Sequence, residues 1–327
     1  MRRTPVGFLA GPLAGILLLV GGCSAADQPG EVSSSTPSGG TTAGPSSPSS
    51  PSSPSASPTP EGAELPRGGR ELFPTYRLVG YSGHPYAKGQ GRLGIGKLED
   101  RVKEMEKRAK PYGKDRQVLP VLELITTTVH SKPGKDGKYR GRTEDKIIAE
   151  HLRVAREHKG ILLLNIQPGQ AKFIDEVKAL EKWLREPDVG LALDPEWAVK
   201  KGQVPGRAFG STTGKELDEV AGWTADLVAE HNLPEKALVY HQLNPDIVRK
   251  ESDLKEHDGV ALIKSVDGIG SHGAKVDTWK RLVKNTPKHV HLGFKLFYEE
   301  DTEGGTKLMS PQQVLALKPK PEYVLYE

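Results

Sequence analysis

Two hydrophobic rhythms alternate along this chain. Short, nearly continuous apolar runs appear at "YRLVGYSG" (76–83), "QVLPVLELIT" (117–126), "GILLLNIQ" (160–167) and "VGLALDPE" (189–196). Four more follow at "KALVYHQL" (236–243), "GVALIKSVD" (259–267), "HVHLGFKLFY" (289–298) and "EYVLYE" (322–327). Between them lie longer stretches whose apolar residues recur three and four apart, as in "RTEDKIIAEHLRVAREHK" and "TGKELDEVAGWTADLVAEHN". That spacing predicts helices with one buried stripe, whereas the short runs predict buried strands. The segment "DIVRKESDLKEHD" (246–258) has the weakest stripe and predicts a helix that is partly irregular.

Strands that take turns with helices are parallel and joined by right-handed crossovers. Continuous apolar runs suit strands covered on both faces. Eight strands in residues 66–327, about 260 residues, match the size of a single (β/α)8 barrel, an α/β fold of the TIM type. An open doubly wound sheet is the competing arrangement. "GQGRLG" (89–94) fits a glycine-rich nucleotide fingerprint. Its distance from the preceding strand is wrong, and no acid-ended second strand follows at the right place, so it is expected to be a loop.

The first 65 residues follow different rules. "MRRTPVGFLAGPLAGILLLVGGC" joins two arginines, an apolar run and small residues, the pattern of a cleaved secretory signal over 1–22. The run is short for a membrane span, which takes roughly 20 apolar residues; an uncleaved anchor is the competing reading. Cys23 is the only cysteine in the chain, so it has no internal disulfide partner. Residues 23–65, with "TPSGGTTAGPSSPSSPSSPSASPTP" at their centre, predict a Ser/Pro-rich disordered spacer. The net charge of +4 is dispersed among acids, and aromatics do not interleave with the basic residues, which argues against nucleic-acid binding.

Candidate chemistry comes from strand parity. In "GLALDPE", Leu191 and Leu193 share one face, and Gly190, Ala192, Asp194 and Glu196 share the other. Small residues suit a crowded barrel interior, so both carboxylates are expected to point inward at the strand's carboxyl end, where barrel active sites lie. Two buried acids this close raise one another's pKa, and a carboxyl kept protonated can act as a general acid. The same exercise brings Glu123, Asn165, Gln167, Lys264, Asp267 and Lys295 to that rim, and strand five offers His241 or its neighbours Tyr240 and Gln242. His84, Tyr86, Trp197 and Tyr298 are expected beside them as substrate contacts, with Tyr81 and Phe297 as further stacking candidates. Glu123, Asp267 and Glu299 are the candidates for a second catalytic carboxylate. His289 and His291 fall at the opposite rim, so their spacing is not expected to mark a metal site.

"LVGGC" resembles the lipobox of bacterial lipoproteins, which implies acylation of Cys23 and attachment to the outer face of the cell membrane. "LALDPEW" resembles the strand-four ends of two glycoside hydrolase families, 18 (chitinase-like) and 25 (muramidases). Carried over, Glu196 is the general acid/base and Asp194 its partner. The chain departs from both: Ala192 stands where family 18 has a further Asp, and "GYSGHP" replaces the opening strand of family 25. "YSGHP", "LNIQPGQ", "LALDPEW" and "GFKLFYEED" together resemble a set of uncharacterised (β/α)8-barrel lipoproteins of Gram-positive bacteria. The resulting expectation is a surface-anchored glycosidase acting on cell-wall glycan or another polysaccharide, with no cofactor and no metal. Two alternatives stay open: a non-catalytic barrel that binds glycan or protein, and a metal-dependent hydrolase using His84, Asp194, Glu196 and His241.

Overall fold

The computed structural model describes residues 62–327. The signal segment, Cys23 and the spacer as far as residue 61 lie outside the described residues. Eight parallel strands form the body: β1 (Tyr76–Gly83), β2 (Gln117–Val129), β3 (Ile161–Ile166), β4 (Val189–Leu193), β5 (Lys236–Gln242), β6 (Val260–Val266), β7 (His291–Leu296) and β8 (Tyr323–Tyr326). Each pairs with the next in sequence, and β8 returns to pair with β1, which closes the sheet. The fold is therefore the closed (β/α)8 barrel, not the open sheet. Among the described residues no helix is long and apolar enough to cross a membrane.

Helices α1 (Leu98–Ala109), α2 (Asp145–Glu157), α3 (Phe173–Ala179), α4 (Glu181–Leu184), α5 (Gly214–Glu230), α6 (His272–Val283) and α7 (Pro311–Leu315) pack outside the strands. Their stripes bury against one strand parity: Leu162, Leu164, Leu191, Leu193, Leu238 and Tyr240 join Ile148, Val177, Leu217 and Trp279 in the outer core. The other parity fills the interior with Leu78, Val121, Leu163, Ala192, Val239, Ile263 and Leu325. Gly190 belongs there because a Cβ would lie 2.6 Å from the Ala237 carbonyl oxygen. Leu65, Leu72 and Phe73 join this inner core ahead of β1, at its amino-terminal end. Leu65, the last residue assigned to the spacer, is thus buried in the barrel.

Two connections depart from the expected pattern. Strand β2 runs on past the barrel rim, and its last three residues pair antiparallel with Arg140–Arg142. Arg140 and Arg142 then bind buried Glu176 of α3, with Nε to carboxylate distances of 2.8 and 2.7 Å. Between β5 and β6 there is no α-helix, only the two-residue strand Val248–Arg249 and a 3-10 turn at Glu251–Asp253. Its apolar residues Ile247, Val248 and Leu254 are all buried. They leave a gap of five positions, 249–253, with nothing apolar, too wide for a helical stripe.

Candidate functional site

Inward parity at the carboxyl ends of the strands gathers a polar cluster above the inner core. Glu123 from β2, Asn165 from β3, Asp194 after β4, His241 from β5, Asp267 after β6 and Lys295 from β7 are all buried. His241 is the hub. Its Nδ1 lies 2.8 Å from Asp267 Oδ2, and its Nε2 lies 3.0 Å from Glu123 Oε1 and 3.8 Å from Asp194 Oδ1. The Asn165 amide donates to Glu123 at 2.9 Å and to Asp194 at 3.2 Å. Gln167, beyond β3, donates to Asp194 Oδ2 at 3.4 Å.

Sequence parity had not singled out four further members. The Tyr323 hydroxyl donates to Glu123 Oε2 at 2.6 Å, and Ser265 donates to Asp267 Oδ1 at 2.7 Å. The carboxylate of Glu327 lies 2.7 Å from Lys295 Nζ and accepts from Ser82 at 2.9 Å. Each stands at inward parity, Ser82 with Gly80, and Ser265 with Ile263, so the alternation that exposed Asp194 would have found them. Lys264 fails the same test. It lies one residue out of phase with Ile263 and Ser265, and a one-residue shift changes the face. Its ammonium sits outside the barrel, 2.9 Å from Glu251.

The structure separates the other candidates from this cluster. Tyr298 bonds the Tyr81 hydroxyl at 3.0 Å and lies under Arg92, in the layer between strands and helices. Tyr81 is fully buried there. The Nδ1 of His84 accepts from the Tyr86 backbone, and burial first, then His130 and His151, holds its pKa down. Tyr86 projects into solvent with 71 % of its surface exposed. Gln242 is buried at outward parity, and its Oε1 has no hydrogen-bond partner. Phe297 is buried beneath the ammonium groups of Lys275 and Lys295. Glu299 is exposed. At the opposite rim, His291 stacks on Phe73 and binds Glu322 at 2.6 Å. Among the described residues no group of three or more His, Asp or Glu side chains is arranged to hold a metal ion.

The four carboxyl groups nearest His241 differ sharply in their surroundings. Burial opposes ionisation of Asp267, but the charges of His241 and Lys295 outweigh it and hold the pKa at about 2. Glu123 is likewise buried, yet His241, Lys295 and Tyr323 keep its pKa below the ordinary value. Asp194 has the weakest hydrogen bonds of the three, and burial pushes its pKa up to about 6. Glu196 sits on a 3-10 turn, Pro195–Trp197, beside partly buried Trp197. Its Oε2 is buried with no hydrogen-bond partner. Burial, then the charges of Asp194 and Asp267, raise its pKa well above the usual range. His241 shows the converse: burial disfavours its charge, but Asp267 and Glu123 raise its pKa far above that of free imidazole.

The arrangement can thus hold one neutral carboxylic acid at the barrel mouth above an ionised, cation-compensated network. Such an acid can give a proton to a group bound over it. Neither the protein-family models nor the curated proteins contain a match to this chain.

Proposed function

We propose that the chain is a glycosidase of the cell surface, with Glu196 as the general acid and Asp194 as its partner. The single observation that carries this reading is the Glu196 carboxyl. It has a buried oxygen without a partner, at the carboxyl end of the fourth strand, and a pKa raised by burial, Asp194 and Asp267. A glycosidic oxygen is the kind of acceptor such a proton serves. Asp194, titrating at about 6, is ionised near neutrality and would orient the substrate or stabilise positive charge at the sugar. The likeness of "LALDPEW" to the strand-four ends of families 18 and 25 supports the same assignment. A lipid on Cys23 and the Ser/Pro spacer would hold the barrel off the outer face of the membrane, within reach of wall glycan.

One observation favours a second reading, a barrel that binds glycan without cleaving it. Glu123 and His241 are wholly buried, and together with Asp267 and Lys295 they compensate one another's charges within the barrel. The test is to incubate the protein and its Glu196→Gln variant with purified cell-wall glycans and count new reducing ends. Release by wild type alone supports the glycosidase. Retention of the glycan with no release by either form moves the reading to binding. Equal release by both removes Glu196 from the chemistry.

A further inference from the structure

A cleft of about 340 Å³ opens at the barrel mouth beside the Glu196 turn, between the loop after β4 and the loop after β5. The polar cluster does not use it. Lys200, Gln203, Phe209, Asn244, Asp246 and Arg249 line it. That volume is at the small end of ligand pockets, about 300–1,000 Å³, and suits a sugar ring or two.

The cleft is a built feature rather than a gap between loose loops. Thr212–Thr213 and Val248–Arg249 pair as a two-stranded parallel ladder that ties its walls together. Ile247 anchors the second loop by complete burial. The Gly210 N–H donates to the Glu196 carbonyl at 2.6 Å, and the Ser211 N–H donates to the Ala198 carbonyl at 3.1 Å. The floor of the cleft is therefore fastened to the backbone that carries the proposed acid. Only glycine fits at 210, because a Cβ would lie 2.3 Å from the Ala198 backbone.

Its chemistry is cationic with one aromatic face. Residues 199–213 include Lys200, Lys201 and Arg207 and no acidic residue. Residues 244–250 set Arg249 and Lys250 against Asp246 alone. Among the described residues, the side chains of Lys200 and Arg249 have no ion-pair or hydrogen-bond partner. Phe209 keeps 63 % of its surface exposed, although burial would be its ordinary fate.

We infer that this cleft is a subsite for an acidic sugar, and so that the glycan handled at Glu196 is anionic. The inference rests on the glycosidase reading for what happens at Glu196, and on the cleft itself for the charge. Phe209 supplies a flat apolar face for a sugar ring. Arg249 offers a planar fork that matches a carboxylate or phosphodiester, and Lys200 adds a point charge. Asn244 and Asp246, also in the lining, would supply polar partners for ring hydroxyls.

The test measures binding of the full chain to polygalacturonate, hyaluronan and peptidoglycan strands, to the same polymers after carboxyl reduction, and to wall teichoic acid. The expected result is binding to at least one acidic polymer. Dependence on the carboxyl group identifies carboxylate as the anion, and binding to teichoic acid alone identifies phosphodiester. Arg249→Gln and Phe209→Ala, both at exposed positions, should each weaken that binding about tenfold, the worth of one charge-assisted hydrogen bond or one stacking face. Equal affinity for acidic and neutral polymers, or variants that bind like wild type, would overturn the inference. Binding that needs Arg249 without any Glu196-dependent cleavage keeps the subsite and removes the glycosidase. Glu196-dependent cleavage of neutral glycans, unchanged in Arg249→Gln, does the reverse.

Discussion

Four carboxyl groups, at residues 123, 194, 196 and 267, share one low-dielectric space and end in different states because their partners differ. Glu123 meets a phenol, an amide and an imidazolium; Asp267 meets a hydroxyl, an imidazolium and an ammonium. Lys295 serves both Asp267 and Glu327. Replacing it by Met leaves buried carboxylates without their cation, which costs about 3–5 kcal/mol for a broken buried pair. Urea denaturation near neutral pH should show that loss. The pH dependence has a definite sign. Asp267 is held at about 2, below its ordinary 3.8, so its contribution is complete above 3.8 and is lost as pH falls toward 2. Lys295→Met should lose less stability than wild type over that acid window. Asp194 runs the other way: raised from 3.8 to about 6, it contributes fully below 3.8, and that contribution is lost as pH rises through 6. If the ionised form assists the acid, glycan cleavage should rise with pH through about 6 and fall again as Glu196 loses its proton. In Asp194→Asn the rising limb should disappear from the profile of kcat/KM.

At the level of elements, the turn after β4 carries the proposed acid, and the loop behind it holds the turn. Gly210→Ala would press a methyl group into the Ala198 backbone and break the hydrogen bond from residue 210 to the Glu196 carbonyl. The expected outcome is a loss of glycan cleavage larger than the loss of thermal stability, since the affected loop touches the outer core only through Ala198. Activity assays and a melting curve on the same preparation check this. The barrel strands were legible because continuous apolar runs separated by helical stripes admit few other folds. Asp194 and Lys295 were legible because side chains alternate along a strand; His241 was legible only as one of three neighbours, and Glu196 lies on the 3-10 turn after β4, where strand alternation no longer applies. Lys264 departs from the expectation because it is out of phase with Ile263 and Ser265, which turns its side chain to the helix-facing side. The cleft was not legible. Phe209, Lys200 and Arg249 sit in loops without a period, and only the tertiary ladder between 212–213 and 248–249 brings them together. Glu327 follows the same alternation as Asp194, at inward parity with Tyr323 and Leu325, and its bonds to Ser82 and Lys295 join β8 to both of its neighbours.

Across the whole molecule, the two ends of the barrel divide the labour. The amino-terminal end holds Leu65, Leu72 and Phe73 against the inner core, while the carboxyl-terminal end holds the polar cluster and the cleft. Leu72→Ala, at a fully buried position, should cost about 2–5 kcal/mol and leave the kcat of any glycan cleavage unchanged. Chemical denaturation and steady-state kinetics together distinguish that result from a general loss of structure. The proposed chemistry requires one neutral carboxylic acid at the mouth of an otherwise ionised barrel. Infrared difference spectroscopy of wild type against Glu196→Gln near neutral pH observes it directly. A protonated carboxyl C=O band present in wild type and absent from the variant is the predicted result. A difference spectrum showing only the loss of a carboxylate would mean that Glu196 is ionised, and the general-acid assignment would fall with it.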